Sequence, residues 1–234
     1  MRLILTAHGS ADPRSSATTH AVAEHIRALR PELDVQVAFC EQNSPNLRDA
    51  LRIQDGPAVV APLLLASAYH ARADIPAMIA DADADVIQAE TLGEDPRLLT
   101  VLRERLAEHR IHRYERGLGV LVVAVGSSHA SANARTAALA DTLARGTRWS
   151  GVQVAYATGP HPSVLDGADL LRGKGARRIV VAPWFIAPGR ITDRVAAIAD
   201  TAGMSMVAPL GAHPLVAETV LDRFDHALAA RAAA

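Results

Sequence analysis

Short apolar, often β-branched runs alternate along the chain with longer stretches in which apolar positions recur every three or four residues. The first pattern predicts strands at Arg2–Ala7, Val35–Phe39, Ala58–Leu65 and Val86–Ala89. The second predicts helices at Ser15–Leu29, Asn46–Ile53, Asp74–Ala80 and Pro96–His109. The strands are nearly all apolar rather than alternating, as expected when helices cover both faces of a sheet. Strand–helix alternation of this kind predicts an α/β fold with a parallel sheet and right-handed crossovers.

The same order then recurs. Leu118–Val125, Val152–Ala157, Arg178–Phe185 and Met204–Val207 predict strands, with helices at Ser131–Leu143, Ser163–Leu171, Ile191–Ala202 and Leu215–Ala230. The recurrence is visible in letters as well. Val35-Gln36-Val37-Ala38-Phe39 matches Val152-Gln153-Val154-Ala155-Tyr156, Ala61-Pro62 matches Ala182-Pro183, and Gly9-Ser10 matches Gly126-Ser127. Leu92-Gly93 and Pro96 match Leu210-Gly211 and Pro214 in the same way. The order is kept with only small insertions, so the chain reads as a tandem duplication joined through the charged stretch Glu108–Arg116. The expected domains are residues 1–116 and 117–234, each a small parallel sheet flanked by helices.

Composition narrows the function classes. The chain has 234 residues, 24 Lys+Arg against 25 Asp+Glu, and a formal net charge of −1. That balance argues against a nucleic-acid binder, which would carry a clustered basic footprint. Lys174 is the only lysine, so abundant arginine reflects the chain's general composition and a single arginine is weak evidence of a role. One cysteine, Cys40, excludes an intramolecular disulfide framework and a cysteine-based zinc cluster. No apolar run approaches the ~18 residues of a membrane span. The N-terminus runs straight into a strand with no signal-peptide pattern. The expectation is a cytoplasmic protein and, given the internal duplication, a monomer, without membrane or nucleic-acid partners.

Parallel α/β sheets place ligands beyond the carboxyl ends of their strands, so the residues there are the ones to compare between halves. The first half has His8 after its first strand, Glu41 after the second and His70 after the third. The second half has Val125, Thr158 and Arg190 or Ile191 in those places. Each of the three, taken alone, reads more simply as a solvated loop residue or a helix cap. Together, in one half and absent from its copy, two imidazoles and a carboxylate suit a divalent first-row metal such as Fe, Co, Ni or Zn, with one site per chain. Among the other histidines, His20, His25, His109 and His112 read as surface positions and His213 as a cap before Pro214. His129 and His161 stand at strand-end loops of the second half, where lining a cleft is open to either. Cys40 reads as a small buried residue.

The strand ending in Ala7-His8-Gly9-Ser10, the second strand Val35–Glu41 and the segment Pro62–Pro76, with its His70-x-x-x-Asp74-Ile75-Pro76, together resemble the class II chelatases. These are the sirohydrochlorin cobalto- and ferrochelatases of the CbiX/SirB type. Ala182–Arg194 resembles the degenerate copy found in the longer members, and Ala68 departs from a glycine common in the family. The resemblance implies two chelatase-like domains facing each other over a cleft that holds the tetrapyrrole. It further implies His8 and His70 beside the incoming metal, Glu41 completing the site, and the loop Leu65, Ala66, Ser67, Ala68, Tyr69 and His70 cradling the macrocycle. The metal, Co²⁺ or Fe²⁺ with Ni²⁺ a third candidate, is then a substrate, and no cofactor is permanently bound.

The residue types suit that chemistry. Metal insertion needs a ligand that holds M²⁺ loosely and a base for the pyrrole protons. A neutral imidazole, with pKa near ~6.5, does either at neutral pH. Glu41 balances metal charge and can relay protons. Ser10, Arg14, Ser127 and Arg190 stand where the substrate's carboxylates would meet strand-end loops. Three other readings compete. A histidine phosphatase would need an arginine where Ala7 stands. A nucleotide-binding module would need a glycine-rich phosphate fingerprint that is missing here. A non-catalytic tetrapyrrole or metal carrier of the same fold would have the same ligands and stop at one equivalent.

Overall fold

In the computed structural model, residues 1–66, 70–82 and 84–233 are described, His70 by its backbone only. The sequence pattern maps onto two four-stranded parallel sheets. In the first, β1 (Arg2–Ala7) is flanked by β2 (Asp34–Phe39) and β3 (Ala58–Pro62), and β4 (Val86–Gln88) closes the edge, giving the order β2-β1-β3-β4. In the second, β5 (Leu118–Ala124), β6 (Gly151–Tyr156), β7 (Arg178–Pro183) and β8 (Ser205–Met206) repeat that order as β6-β5-β7-β8. Leu3, Ile4 and Leu5 of β1 and Val120–Val123 of β5 are completely buried. Each such side chain contributes about 1.5–3 kcal/mol by leaving water, which explains the unbroken apolar runs. In both sheets the chain reverses its direction of strand addition at the first strand, so the switch point lies between β1 and β3, and between β5 and β7.

Helices α1 (Pro13–Leu29), α2 (Leu47–Arg52), α3 (Ile75–Asp81) and α4 (Pro96–Glu108) follow the strands of the first half. Helices α5 (Ala130–Ala137), α6 (Leu139–Ala144), α7 (Val164–Gly173), α8 (Arg190–Thr201) and α9 (Pro214–Ala232) follow those of the second. The single helix expected over Ser131–Leu143 is divided at Ala138. Asp12 accepts from the Arg14 backbone N–H at 3.0 Å at the start of α1. His213 Nδ1 accepts from Leu215 N at 3.2 Å at the start of α9, which bears out the capping role expected of it.

The compact units do not coincide with residues 1–116 and 117–234. One comprises Met1–Asp95 with Ala212–Ala234, the other Pro96–Gly211. The boundary moves because the last helix of each repeat packs in the other unit. In the first unit α9 lies against α1 and β3; in the second, α4 takes the same place against α6 and β7. An arginine at the same position of each exchanged helix clasps two successive carbonyls beyond the last strand. Arg223 Nε and Nη2 reach Thr91 O and Leu92 O at 3.3 and 3.2 Å. Arg105 Nε and Nη2 reach Pro209 O and Leu210 O at 3.1 and 3.0 Å.

Candidate functional site

His8 and Glu41 are brought together by the backbone. Beyond the β1–β2 ladder, Cys40 N donates to Ala7 O at 3.0 Å and Glu41 N to His8 O at 2.9 Å. Between them Gly9 turns the chain with φ 97°. A Cβ there would stand 1.8 Å from Glu41 O, so only glycine lets the two loops touch. Ser10 N closes the approach on Asn43 Oδ1 at 2.7 Å. Gln42, next to Glu41, adopts φ 60°, a left-handed conformation that costs a non-glycine residue on the order of 1–2 kcal/mol.

The second unit builds the same edge without the chemistry. Ala157 N donates to Ala124 O at 2.8 Å and Thr158 N to Val125 O at 3.0 Å. Gly126, at φ 95°, packs so that its Cβ would meet Gly159 O at 1.7 Å. The backbone that apposes His8 and Glu41 thus apposes Val125 and Thr158, and the Thr158 hydroxyl donates to Val125 O at 2.8 Å. By contrast, the Glu41 side chain is exposed and makes no hydrogen bond or ion pair with any described residue.

The His8 imidazole is half-buried, with Nδ1 3.0 Å from Gly9 O. A carbonyl only accepts, so Nδ1 carries the proton in that bond. In the neutral ring the lone pair then sits on Nε2, the arrangement in which imidazole serves as ligand or base. Cys40, next to Glu41, is buried as expected, and burial pushes its thiol up from the usual range. The carboxylates of Asp74 and Glu41 add to that shift, while a contact with Thr6 Oγ1 opposes it. It is therefore held as a thiol and does not compete as a thiolate for metal.

After β3, Leu63 N donates to Thr6 O at 2.7 Å and Leu92 N to Leu64 O at 2.9 Å. The ladder of β3 ends at Pro62 rather than Leu65. Leu65 and Ala66 follow, half-buried; Ser67, Ala68 and Tyr69 lie outside the described residues. His70 opens a π-helical turn, His70–Asp74, which leads into α3. Among the described residues no group of three or more His, Cys, Asp or Glu is gathered to hold a metal ion, and the His70 side chain is not among them.

The residues expected to meet substrate carboxylates are placed as follows. Ser10 is half-buried, its hydroxyl accepting from Asp12 N at 3.1 Å. The Arg14 guanidinium is engaged by Asp12, with Nε to Oδ1 at 3.0 Å and Nη2 to Oδ2 at 2.5 Å. In the second unit, Ser127 is tied through its backbone to Asn133, at 2.9 Å from N and 2.6 Å to O. Arg190 is exposed at the first turn of α8. His129 precedes α5 half-buried. His161 reaches Asp166 Oδ2 at 2.9 Å. That bond, with those from the Ser163 backbone and hydroxyl, lowers the exposed Asp166 carboxyl to about 2; His161 is thus engaged by a residue in the first turn of α7.

The CbiX family model matches this chain twice, over residues 2–109 and 119–227. A sirohydrochlorin ferrochelatase of Priestia megaterium is 26% identical over 205 residues, covering 82% of this chain and 76% of that protein. A sirohydrochlorin cobaltochelatase of Methanopyrus kandleri is 27% identical over 135 residues, 45% of this chain and 94% of that protein. Among solved structures, SirB from Bacillus subtilis with Fe³⁺ shares the fold with a TM-score of 0.82 at 18% identity, over 97% of this chain and 94% of that one. Two matches of one family model in tandem account for both the repeated sheets and the repeated strand-end turns: the chain belongs to the CbiX family.

Proposed function

We propose that this chain is a sirohydrochlorin chelatase, a metal-inserting lyase that places Fe²⁺ or Co²⁺ in the macrocycle. Relatives named for iron and for cobalt insertion both support the reaction class. The observation that carries it on this chain is the edge of the first sheet. A glycine turn brings His8 and Glu41 together there, the Glu41 carboxylate exposed and without a partner among the described residues, and the same turn in the copy brings together Val125 and Thr158.

The reaction exchanges two pyrrole N–H protons for one M²⁺. His8, with its lone pair on Nε2, accepts a proton or holds the ion until the ring takes it. His70, at the start of the π-helical turn, acts from the third strand end. Glu41 offsets the dication's charge and passes protons to solvent, for which its exposure suits it. Imidazole and carboxylate bind such ions without the retention that thiolates would bring, and Cys40 stays a buried thiol. Ser10 and the loop Leu65–His70 are the positions assigned to the macrocycle and its carboxylates. Arg14 would first have to leave Asp12.

The test is anaerobic incubation of limiting protein with excess sirohydrochlorin and Co²⁺ or Fe²⁺, followed in the visible spectrum against a protein-free control. Metallation of many equivalents per chain is the expected result. Saturation at one equivalent would replace the enzyme by a carrier of the same fold.

A further inference from the structure

The two halves also differ in polarity at the end of the last strand. Gln88 ends β4, paired with Val60 of β3. The residue in its place in the second sheet is Met206, paired with Val181 of β7. Met206 packs on the apolar cluster formed by Val181, Val195, Ala199 and Met204, as a strand residue at that place would be expected to do. Gln88 instead turns its carboxamide to the adjoining segment. Its Nε2 donates to Ala71 O at 2.7 Å, the carbonyl of the residue that follows His70.

The acceptor lies in a stretch where, among the described residues, the helices after β3 and β7 differ in winding. From Leu63 to Ile75 the first half spans one residue more than the second does from Trp184 to Val195. The residues on either side correspond: Leu63 and Trp184 donate to Thr6 O and Val123 O at 2.7 Å each, and Ile75 and Val195 are fully buried. The described part of the longer span includes the π-helical turn His70–Asp74, whereas α8 runs as regular α-helix from Arg190. Such single-turn insertions are rare and gather at functional sites.

Gln88 is a poor choice for stability. Its Oε1 is buried and has no hydrogen-bond partner among the described residues. A buried acceptor left unpaired is unfavourable, and a methionine, as in the copy, would avoid it. What Gln88 adds is a fixed place for the π-helical turn.

We infer that Gln88 is a positioning residue: by holding the Ala71 carbonyl to the last strand it fixes the backbone that presents His70. The inference rests on the chelatase reading above, in which His70 takes part in metal insertion. A shift of about 1 Å in a reacting group costs up to ~100-fold in rate, so loss of this one bond acts on turnover rather than on substrate binding.

The experiment compares Gln88→Met, Gln88→Glu and His70→Ala in the multiple-turnover assay, with thermal unfolding of each. Gln88→Met installs the residue of the second half and keeps the packing; ionised glutamate keeps the shape but cannot donate to Ala71 O. Both are expected to lower kcat about tenfold or more with the KM for sirohydrochlorin within twofold, and Gln88→Met to unfold no earlier than the parent. His70→Ala is expected to be inactive. Wild-type kcat in Gln88→Met beside an inactive His70→Ala would overturn the inference and leave the chelatase reading standing. A changed KM at unchanged kcat would also overturn it. Normal turnover in His70→Ala would remove the proposed role of His70 and the inference with it.

Discussion

Gly9→Ala is expected to abolish metal insertion and to lower the unfolding temperature by on the order of 10 °C. The new Cβ would lie 1.8 Å from Glu41 O and 2.8 Å from Glu41 C, so the loop after β2 would have to withdraw. The φ of 97° adds strain for any residue with a side chain. Withdrawal breaks the Glu41 N to His8 O bond and parts the imidazole from the carboxylate. The free-energy cost of such an overlap with backbone exceeds about 4 kcal/mol, beyond the range of ordinary substitutions. Gly126→Ala meets Gly159 O at 1.7 Å with φ 95°, so its stability loss should match. It does not disturb the first sheet, however, and kcat per folded molecule should stay within a few-fold of the parent. Thermal unfolding paired with turnover at a temperature where both variants are folded checks the contrast. Equal loss of kcat in the two would contradict it.

Arg223→Ala is expected to destabilise the first unit by about 3–5 kcal/mol, the cost of removing one partner of a buried ion pair. Its guanidinium lies 2.9 Å from Asp95 Oδ2, with side-chain exposures of 19% and 5%, and also donates to Thr91 O and Leu92 O. Truncation takes the guanidinium away from a buried carboxylate and releases the segment that α9 holds. That segment includes Leu92, whose N–H donates to Leu64 O at the base of the loop leading to His70. Hydrogen exchange should therefore rise first in residues 88–95, and denaturant should unfold the variant earlier. Arg105→Ala is the control. It makes the same clasp on Pro209 O and Leu210 O, but its carboxylate partner Glu108 is half exposed at 53%, so the loss there should be about 1–2 kcal/mol, the scale of ordinary hydrogen bonds. Equal losses in the two would show that the buried Asp95 pair is not the source.

The strand ends were legible in the sequence because parallel α/β topology makes the residue after each strand special, and because the chain carries its own control. Comparing His8 with Val125 and Glu41 with Thr158 required no structure, and the backbone confirms that each pair occupies the same place. At β4 the halves set Gln88 against Met206, a difference that a search for titrating groups does not single out because a carboxamide carries no charge to lose or gain. Other features were not legible. Periodicity says that α4 and α9 are amphipathic, not which sheet each covers, and equivalent seats on β3 and β7 would satisfy either. The exchange depends on how the stretches around Asp95 and Gly211 leave their sheets, which apolar spacing does not encode. The π-helical turn at His70–Asp74 hides in the sequence as an ordinary helix start, since one extra residue looks like a longer loop. The division at Ala138 and the short β3 are boundary matters of one turn and three residues. Arg14 shows the limit of position alone: it stands at a strand-end loop, yet its charge is spent on Asp12.

The central claim is that the chemistry belongs to one edge of one sheet, and exchanging residues between the halves tests it most directly. A chain carrying His8→Val and Glu41→Thr places the second half's residues on the first half's turn, with the glycine and its backbone bonds untouched. A companion chain carries Val125→Ala and Thr158→Ala. The measurement is kcat for cobalt or iron insertion into sirohydrochlorin under multiple turnover. The first chain should lose at least about 100-fold, the scale of a positioned acid–base group, and the companion should keep kcat within about threefold. Near-normal turnover in the first chain, or a comparable loss in the companion, would contradict the assignment of the reaction to His8 and Glu41.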